Sequence, residues 1–220
     1  MSVAAVLLAA GRGERLGSDR PKAFARLGDR PLLAESLERL EASAWVETIV
    51  VAAPAGWEEP VILLAEELGC GKASEVVTGG ASRAESVRAG VGEVPDALVI
   101  IVHDAARPLL GEDVIERVLA PLSEGWDGAV PGLPLADTVK RVEDDAVVET
   151  VDRSSLVAVQ TPQAFAAPVL RAALEGDIAA ANDCSSLVEA RGGRIKVVPG
   201  DSRLLKVTTA ADLERVASML

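Results

Sequence analysis

The most continuous apolar run in the chain, Ala97-Leu98-Val99-Ile100-Ile101-Val102, has no polar alternation and predicts a central strand buried on both faces. Such a strand needs helices above and below it. The flanking sequence supplies them. Residues 3–8, 46–53, 75–78 and 128–133 read as further strands, and residues 31–40, 61–68, 83–89 and 114–122 carry apolar side chains at helical spacing. This βαβα order predicts an α/β fold, a mostly parallel sheet with helices on both faces. Ligands of such sheets bind outside the carboxyl ends of the strands.

Residues 134–155 break the rhythm. Asp137-Thr138-Val139-Lys140-Arg141-Val142 and Val147-Val148-Glu149-Thr150-Val151-Asp152 alternate polar and apolar positions around Glu143-Asp144-Asp145-Ala146, a hairpin turn. A two-stranded ribbon alone is marginal in water. The hairpin therefore packs back on its own domain or protrudes as an arm to a second subunit. Beyond it, Ala158-Val159-Gln160 ends a strand, 169–174 and 185–190 read as helices, and 194–199 is a last strand. Thr209-Ala210-Ala211-Asp212 has the form of a capping box opening a final helix. No repeat or linker divides the 220 residues, which form a single domain.

Between the first strand and first helix lies Ala9-Ala10-Gly11-Arg12-Gly13-Glu14-Arg15-Leu16-Gly17-Ser18-Asp19-Arg20-Pro21-Lys22. Glycine lets backbone N–H groups approach phosphate oxygens, and four cations fall within this stretch. It is no dinucleotide fingerprint, because Leu16 stands where the third glycine belongs. Nor is it a Walker loop, because Lys22 follows Pro21 rather than a glycine. A turn with solvated charges is the bland alternative. The spacing of Arg15, Pro21 and Lys22 favours a loop that holds a triphosphate.

Charge distribution agrees. The net charge is −12, which disfavours nucleic acid as a partner. Yet residues 1–30 hold six cations against three acids, leaving +3 there and −15 over the remainder. A basic patch on an acidic chain suits a small anionic ligand. Five aromatic residues offer little for base stacking. No leader pattern or membrane-length apolar stretch is evident, so the expectation is a cytoplasmic protein with no membrane partner. Two cysteines and one histidine argue against a structural zinc site, and no disulfide is expected.

Three further segments bear chemistry. In His103-Asp104-Ala105-Ala106-Arg107-Pro108 the histidine reads as a satisfied core residue, since no serine or cysteine neighbour gives it a triad. Asp104 and Arg107, at the mouth of a buried strand, need partners. The carboxylate can orient a hydroxyl or help hold a divalent cation, and the arginine can clamp a phosphate. Gly79-Gly80-Ala81-Ser82-Arg83-Ala84-Glu85-Ser86-Val87 is either a turn or a second loop against which a base or ribose sits, with Ser86 donating. Lys206, between apolar residues, is either a surface lysine or a directed ammonium.

Taken together, the loop at 9–22, the segments 79–87 and 103–108, Asp137-Thr138-Val139-Lys140, Val151-Asp152-Arg153, Thr161-Pro162-Gln163 and Lys206-Val207-Thr208 resemble the 2-C-methyl-D-erythritol 4-phosphate cytidylyltransferase family. The resemblance implies a single nucleotidyltransferase domain over 1–220, a Rossmann-like, mostly parallel sheet like that of the nucleotide-diphospho-sugar transferases, with residues 134–155 as a protruding hairpin arm. It implies a homodimer whose hairpin arms complete each other's sites, with CTP and methylerythritol phosphate as substrates and Mg²⁺ as cofactor. By the same resemblance Ala10, Gly11, Gly13, Gly80, Ser86 and Ala105 line the CTP site, and Arg15 and Lys22 stabilise the transition state. Asp104, Arg107, Thr138, Arg153, Thr161 and Lys206 hold the acceptor, Arg153 and Lys206 aiming its phosphate for catalysis. Asp104 is the candidate metal contact.

Three positions depart from the family pattern. Ala81 replaces a frequent acidic residue, leaving cytosine recognition there to backbone groups. Asn182-Asp183 stands for Thr-Asp, and Ala23 for glutamine. The nearest rival reading is a ribitol-5-phosphate cytidylyltransferase, against which the Ala105-Ala106 pair speaks. A non-catalytic nucleotide sensor and a nicotinamide dehydrogenase are more distant.

Overall fold

Strand and helix alternate to residue 134 in the computed structural model, which describes residues 2–11, 13–16, 20–179 and 181–220. Arg12, Gly17, Ser18 and Asp19 of the first glycine loop lie outside the described residues. β1 (Val3–Leu8) leads through that loop to a short pair, β2 (Arg26–Leu27) and β3 (Arg30–Pro31), and to α1 (Leu32–Ala42). β4 (Thr48–Ala53), α2 (Glu58–Glu67), β5 (Ala73–Thr78), α3 (Arg83–Gly92), β6 (Val99–Asp104), α4 (Glu112–Ser123) and β7 (Gly128–Pro134) follow. The second part holds β8 (Val139–Glu143), β9 (Ala146–Val151), β10 (Val157–Val159), β11 (Gln163–Ala166), α5 (Ala167–Leu174), α6 (Cys184–Glu189), β12 (Ile195–Pro199) and α7 (Ala210–Ala217).

The main sheet has the order β10-β7-β11-β6-β1-β4-β5, with β12 also on β7. β1 pairs in parallel with both β4 and β6, and β5 with β4. Consecutive residues of β6 point to opposite faces, as the strand period requires. Ile101 joins Leu7, Ile49 and the inward residues of α1, α2 and α4, such as Leu37, Val61 and Val118. Ile100 joins Val6, Val50 and residues of α3, α5 and α6, such as Val87, Leu170 and Val188. The apolar run is thus covered on both sides, as its composition demands.

One strand was not legible. β11 runs antiparallel between β6 and β7. Its four residues, Gln163-Ala164-Phe165-Ala166, are too few to show a period and follow Pro162, a turn signal. It nevertheless places Phe165, with no exposed surface, in the middle of the sheet.

The hairpin forms where expected. β8 and β9 pair only with each other, through a turn in which Asp144 and Asp145 take positive φ of 46° and 63°. That is the geometry of a two-residue turn matched to strand twist. Val142, Val147 and Val148 are 55%, 61% and 51% exposed, so the ribbon does not bury its apolar side on its own domain. Among the described residues no helix is long and apolar enough to cross a membrane.

Removing the ring that fills the centre of the sheet tests this packing. Phe165→Ala is expected to lower unfolding free energy by about 3–5 kcal/mol, the cost of a large core truncation. Urea unfolding followed by circular dichroism reads it, and a loss below about 1 kcal/mol would contradict a tightly packed centre.

Candidate active site

Loops leaving β1, β5 and β6 meet at one edge of the sheet. Ala9 N–H donates to the Ala52 carbonyl at 2.9 Å, and Gly79 N–H to the Ala53 carbonyl at 2.8 Å, so both glycine loops are pinned at their start to the tip of β4. A Cβ on Gly79 would fall 2.3 Å from that of Ala10, which shows how closely the two loops lie. Between them and the end of β6 opens a cavity of about 580 Å³.

The first loop folds its lysine back over itself. Pro21, with φ −54°, precedes a single 3₁₀ turn from Lys22 to Phe24, and Lys22 N–H donates to the Gly11 carbonyl at 3.2 Å. Gly13 takes φ +74° directly beneath, where a Cβ would meet that of Lys22 at 2.8 Å. Only glycine serves there. The second loop is held by a capping box: Ser82 Oγ accepts from Glu85 N–H, and Glu85 accepts from Ser82 N–H. Ser86 Oγ accepts from Gly80 N–H at 3.1 Å and gives its proton to the Ser82 carbonyl. Ser86 therefore faces a ligand as an acceptor rather than as the donor expected.

Asp104 ends β6 with its side chain 10% exposed. Its Oδ1 accepts from Arg83 Nε at 3.1 Å and Nη2 at 3.0 Å, and its Oδ2 from Lys206 Nζ at 2.8 Å. Burial opposes the carboxylate, but the Arg83 and Lys206 charges outweigh it and hold the group well below the usual range. Behind it, Asp104 N–H donates to Thr161 Oγ1 at 3.1 Å, and Thr161 meets His103 Nδ1 at 3.2 Å. His103 Nε2 lies 3.1 Å from the Arg107 carbonyl, which can only accept, so Nε2 bears the proton and Nδ1 receives that of Thr161. Burial pushes His103 down to about 4, a neutral core histidine as the sequence suggested.

The structure gathers most, not all, of the expected site. Ala10, Gly11, Gly13, Arg15, Lys22, Gly80, Ser86, Asp104, Ala105 and Lys206 line the cavity. Four expected acceptor contacts do not. Thr161 is buried behind Asp104 as its support. Arg107 donates to the Leu204 carbonyl at 2.6 Å, bracing the segment that carries Lys206 instead of presenting a free clamp. Thr138 and Arg153 are exposed near the foot of the hairpin, where the Arg153 guanidinium donates to the Ala136 carbonyl.

Arg83 is the lining residue the sequence did not single out. A buried carboxylate announced the need for a cation, but a partner 21 residues upstream leaves no spacing signal. Among the described lining residues there are four cations, Arg15, Lys22, Arg83 and Lys206, against the single carboxylate of Asp104. Among the described residues no three histidine, cysteine or acidic side chains cluster as a metal site. Among the described lining residues Asp104 is the one carboxylate that could share a divalent cation with ligand phosphates, the mode magnesium commonly uses.

An α/β sheet whose glycine loops border a net positive cavity at its strand tips defines a protein built to bind a phosphorylated ligand. The family model described as 2-C-methyl-D-erythritol 4-phosphate cytidylyltransferase matches residues 3–220, and the chain belongs to that family. It is 44% identical to the enzyme of that name from Nocardia farcinica, over 100% of this chain and 94% of the relative. It is 45% identical to that of Saccharopolyspora erythraea, over 100% of both. The crystal structure of the Thermus thermophilus enzyme matches with a TM-score of 0.78 at 31% identity, covering 97% of this chain and 96% of that one.

Burial and the nearby Lys206 ammonium push Lys22 down to about 8. It is charged below that pH and loses its proton above it. Affinity for CTP is therefore expected to fall by up to about tenfold between roughly pH 7 and 9, because only the protonated fraction is competent. Calorimetric titration across that range checks this, with Lys22→Met giving a flat profile. A Kd that does not move in the unaltered chain would detach the lysine's charge from triphosphate binding.

Proposed function

We propose that this cytidylyltransferase joins CTP and 2-C-methyl-D-erythritol 4-phosphate by in-line attack of the acceptor's phosphate oxygen on the α-phosphorus of CTP. The new P–O bond forms as the bond to the leaving pyrophosphate breaks. The observation that carries this mechanism is the lining itself: four cations and one carboxylate, with no histidine or cysteine among the described lining residues. A phosphate monoester dianion is already nucleophilic near neutral pH, so no general base is required. What opposes reaction is charge, since two anions must meet and the leaving group gains more. Preorganised cations in a partly buried site lower that barrier.

In this reading Arg15 and Lys22 face the triphosphate, and Gly11, Gly13 and Gly80 allow the nucleotide to approach the backbone. Ala10 and Ala105 offer small surfaces to the nucleoside. Asp104 orients a sugar hydroxyl and, as the one carboxylate among the described lining residues, would hold Mg²⁺, which would supply charge neutralisation on the phosphates. Lys206 aims the acceptor's phosphate. The valine-bearing hairpin, unburied on its own domain, supports a homodimer in which the arm brings Thr138 and Arg153 to the partner's cavity. Neither lines the cavity of its own chain.

Activity measured over a matrix of nucleoside triphosphates and polyol phosphates tests the reading, and pyrophosphate release is expected from CTP with the methylerythritol acceptor. Preference for ribitol 5-phosphate would replace the acceptor assignment. Lys22→Ala is expected to reduce kcat by about 10²–10³, the scale of losing one preorganised donor. Turnover near the unaltered level would exclude Lys22 from the transition state. Lys22→Ala and Arg153→Ala chains, each inactive alone, should recover activity when refolded together, because a mixed dimer contains one intact site. No recovery in verified mixed dimers would put Arg153 to work in its own subunit.

A further inference from the structure

We propose that Arg83 is a positioning residue for the transfer step, acting through Asp104 to free Lys206 for the acceptor's phosphate. The proposal rests on the cytidylyl-transfer reading above and extends it to a residue that touches neither reacting atom. Its basis is the division of one carboxylate between two cations. Arg83 engages Oδ1 alone, through Nε and Nη2, and Lys206 engages Oδ2 alone. The arginine is the inner partner, 25% exposed, and the lysine the outer, 45% exposed.

Arg83 is also fixed from two sides. It is the first residue of α3, inside the Ser82–Glu85 capping box, and its Nη1 donates to Cys184 Sγ at 3.4 Å. The guanidinium fork is thus set before any ligand arrives. Among the described residues the Lys206 ammonium donates to Asp104 alone, and Lys206 lies on the lining of the cavity.

This asymmetry matters when a phosphate binds. An ammonium that turns toward a new anion leaves its old carboxylate behind, and an uncompensated buried charge is costly. With Arg83 in place Asp104 keeps a partner throughout, so Lys206 is free to share its protons with the phosphate. Without Arg83 the carboxylate loses its inner hydrogen-bonded partner, draws more strongly on Lys206 and competes with the acceptor for it. The backbone donor from Asp104 to Thr161 keeps the carboxylate's stem in place in either case.

The test is a double-mutant cycle on the full chain, reading steady-state acceptor kinetics, CTP affinity by calorimetry and thermal melting. Arg83→Ala is expected to lower kcat/KM for the acceptor by about 30- to 100-fold, the scale of a misplaced reacting group. CTP Kd should change by less than about threefold, and in a Lys206→Ala background the same substitution should cost less than about threefold, since coupled residues do not add. Arg83→Lys, which keeps a charge but not the fork, should recover part of the loss. If Arg83→Ala does not fold, Arg83→Lys is read in the same two backgrounds with the same expectation of non-additivity. Equal losses with and without Lys206, or unchanged acceptor kinetics, would overturn the proposal while leaving cytidylyl transfer intact. An unaltered chain that binds CTP yet turns over no methylerythritol phosphate would overturn the underlying reading and this proposal with it.

Discussion

A single carboxylate at the end of the most buried strand organises the catalytic edge of this protein. Asp104 is carried there by β6, whose apolar residues are covered on both faces and cannot shift without opening the core. A charge in that position persists only with partners, and it draws one from α3 and one from the segment before α7. Elements far apart in the chain are thereby tied to a common point. Removing the carboxylate would leave two neighbouring cations with nothing between them.

The surplus of positive charge around that point is a tension held in the free protein. Lys22 is depressed by its burial and by Lys206, so the free site holds its cations less comfortably than bulk water would. An incoming triphosphate relieves this repulsion as it binds. The rest of the molecule is strongly acidic, which confines the attractive field to the cavity and discourages polyanions of larger extent. Stability given up at the strand tips reappears as affinity and as transition-state stabilisation.

Much of this arrangement was legible in the residues. The run at 97–102 announced a doubly covered strand, and Arg15, Pro21 and Lys22 announced a loop that turns back on itself. What stayed hidden depended on tertiary contact. Phe165 sits in a four-residue antiparallel strand with too little length for any pattern, yet it fills the sheet's centre. Arg83 and Arg107 look alike as cations a few residues past the end of a strand, but one grips Asp104 and the other a backbone carbonyl. Side-chain direction at a strand tip follows from neighbours that composition does not reveal. The hairpin's turn chemistry was clear, whereas its failure to pack on its own domain is not encoded in its own residues.

The hydrogen-bonded pair behind Asp104 has a consequence for acid tolerance. His103 is neutral in the fold, with its proton affinity reduced to about 4, whereas an unfolded chain would protonate it near its ordinary value of about 6.5. The unfolded state therefore binds the extra proton first as pH falls through that interval, and the native state is progressively disfavoured. Acidification would weaken the back wall of the cavity, through Thr161, while Asp104 and its two cations still keep their charges. The scaffold beneath the phosphates is thus the more acid-labile layer, and the polar groups above it the more durable one.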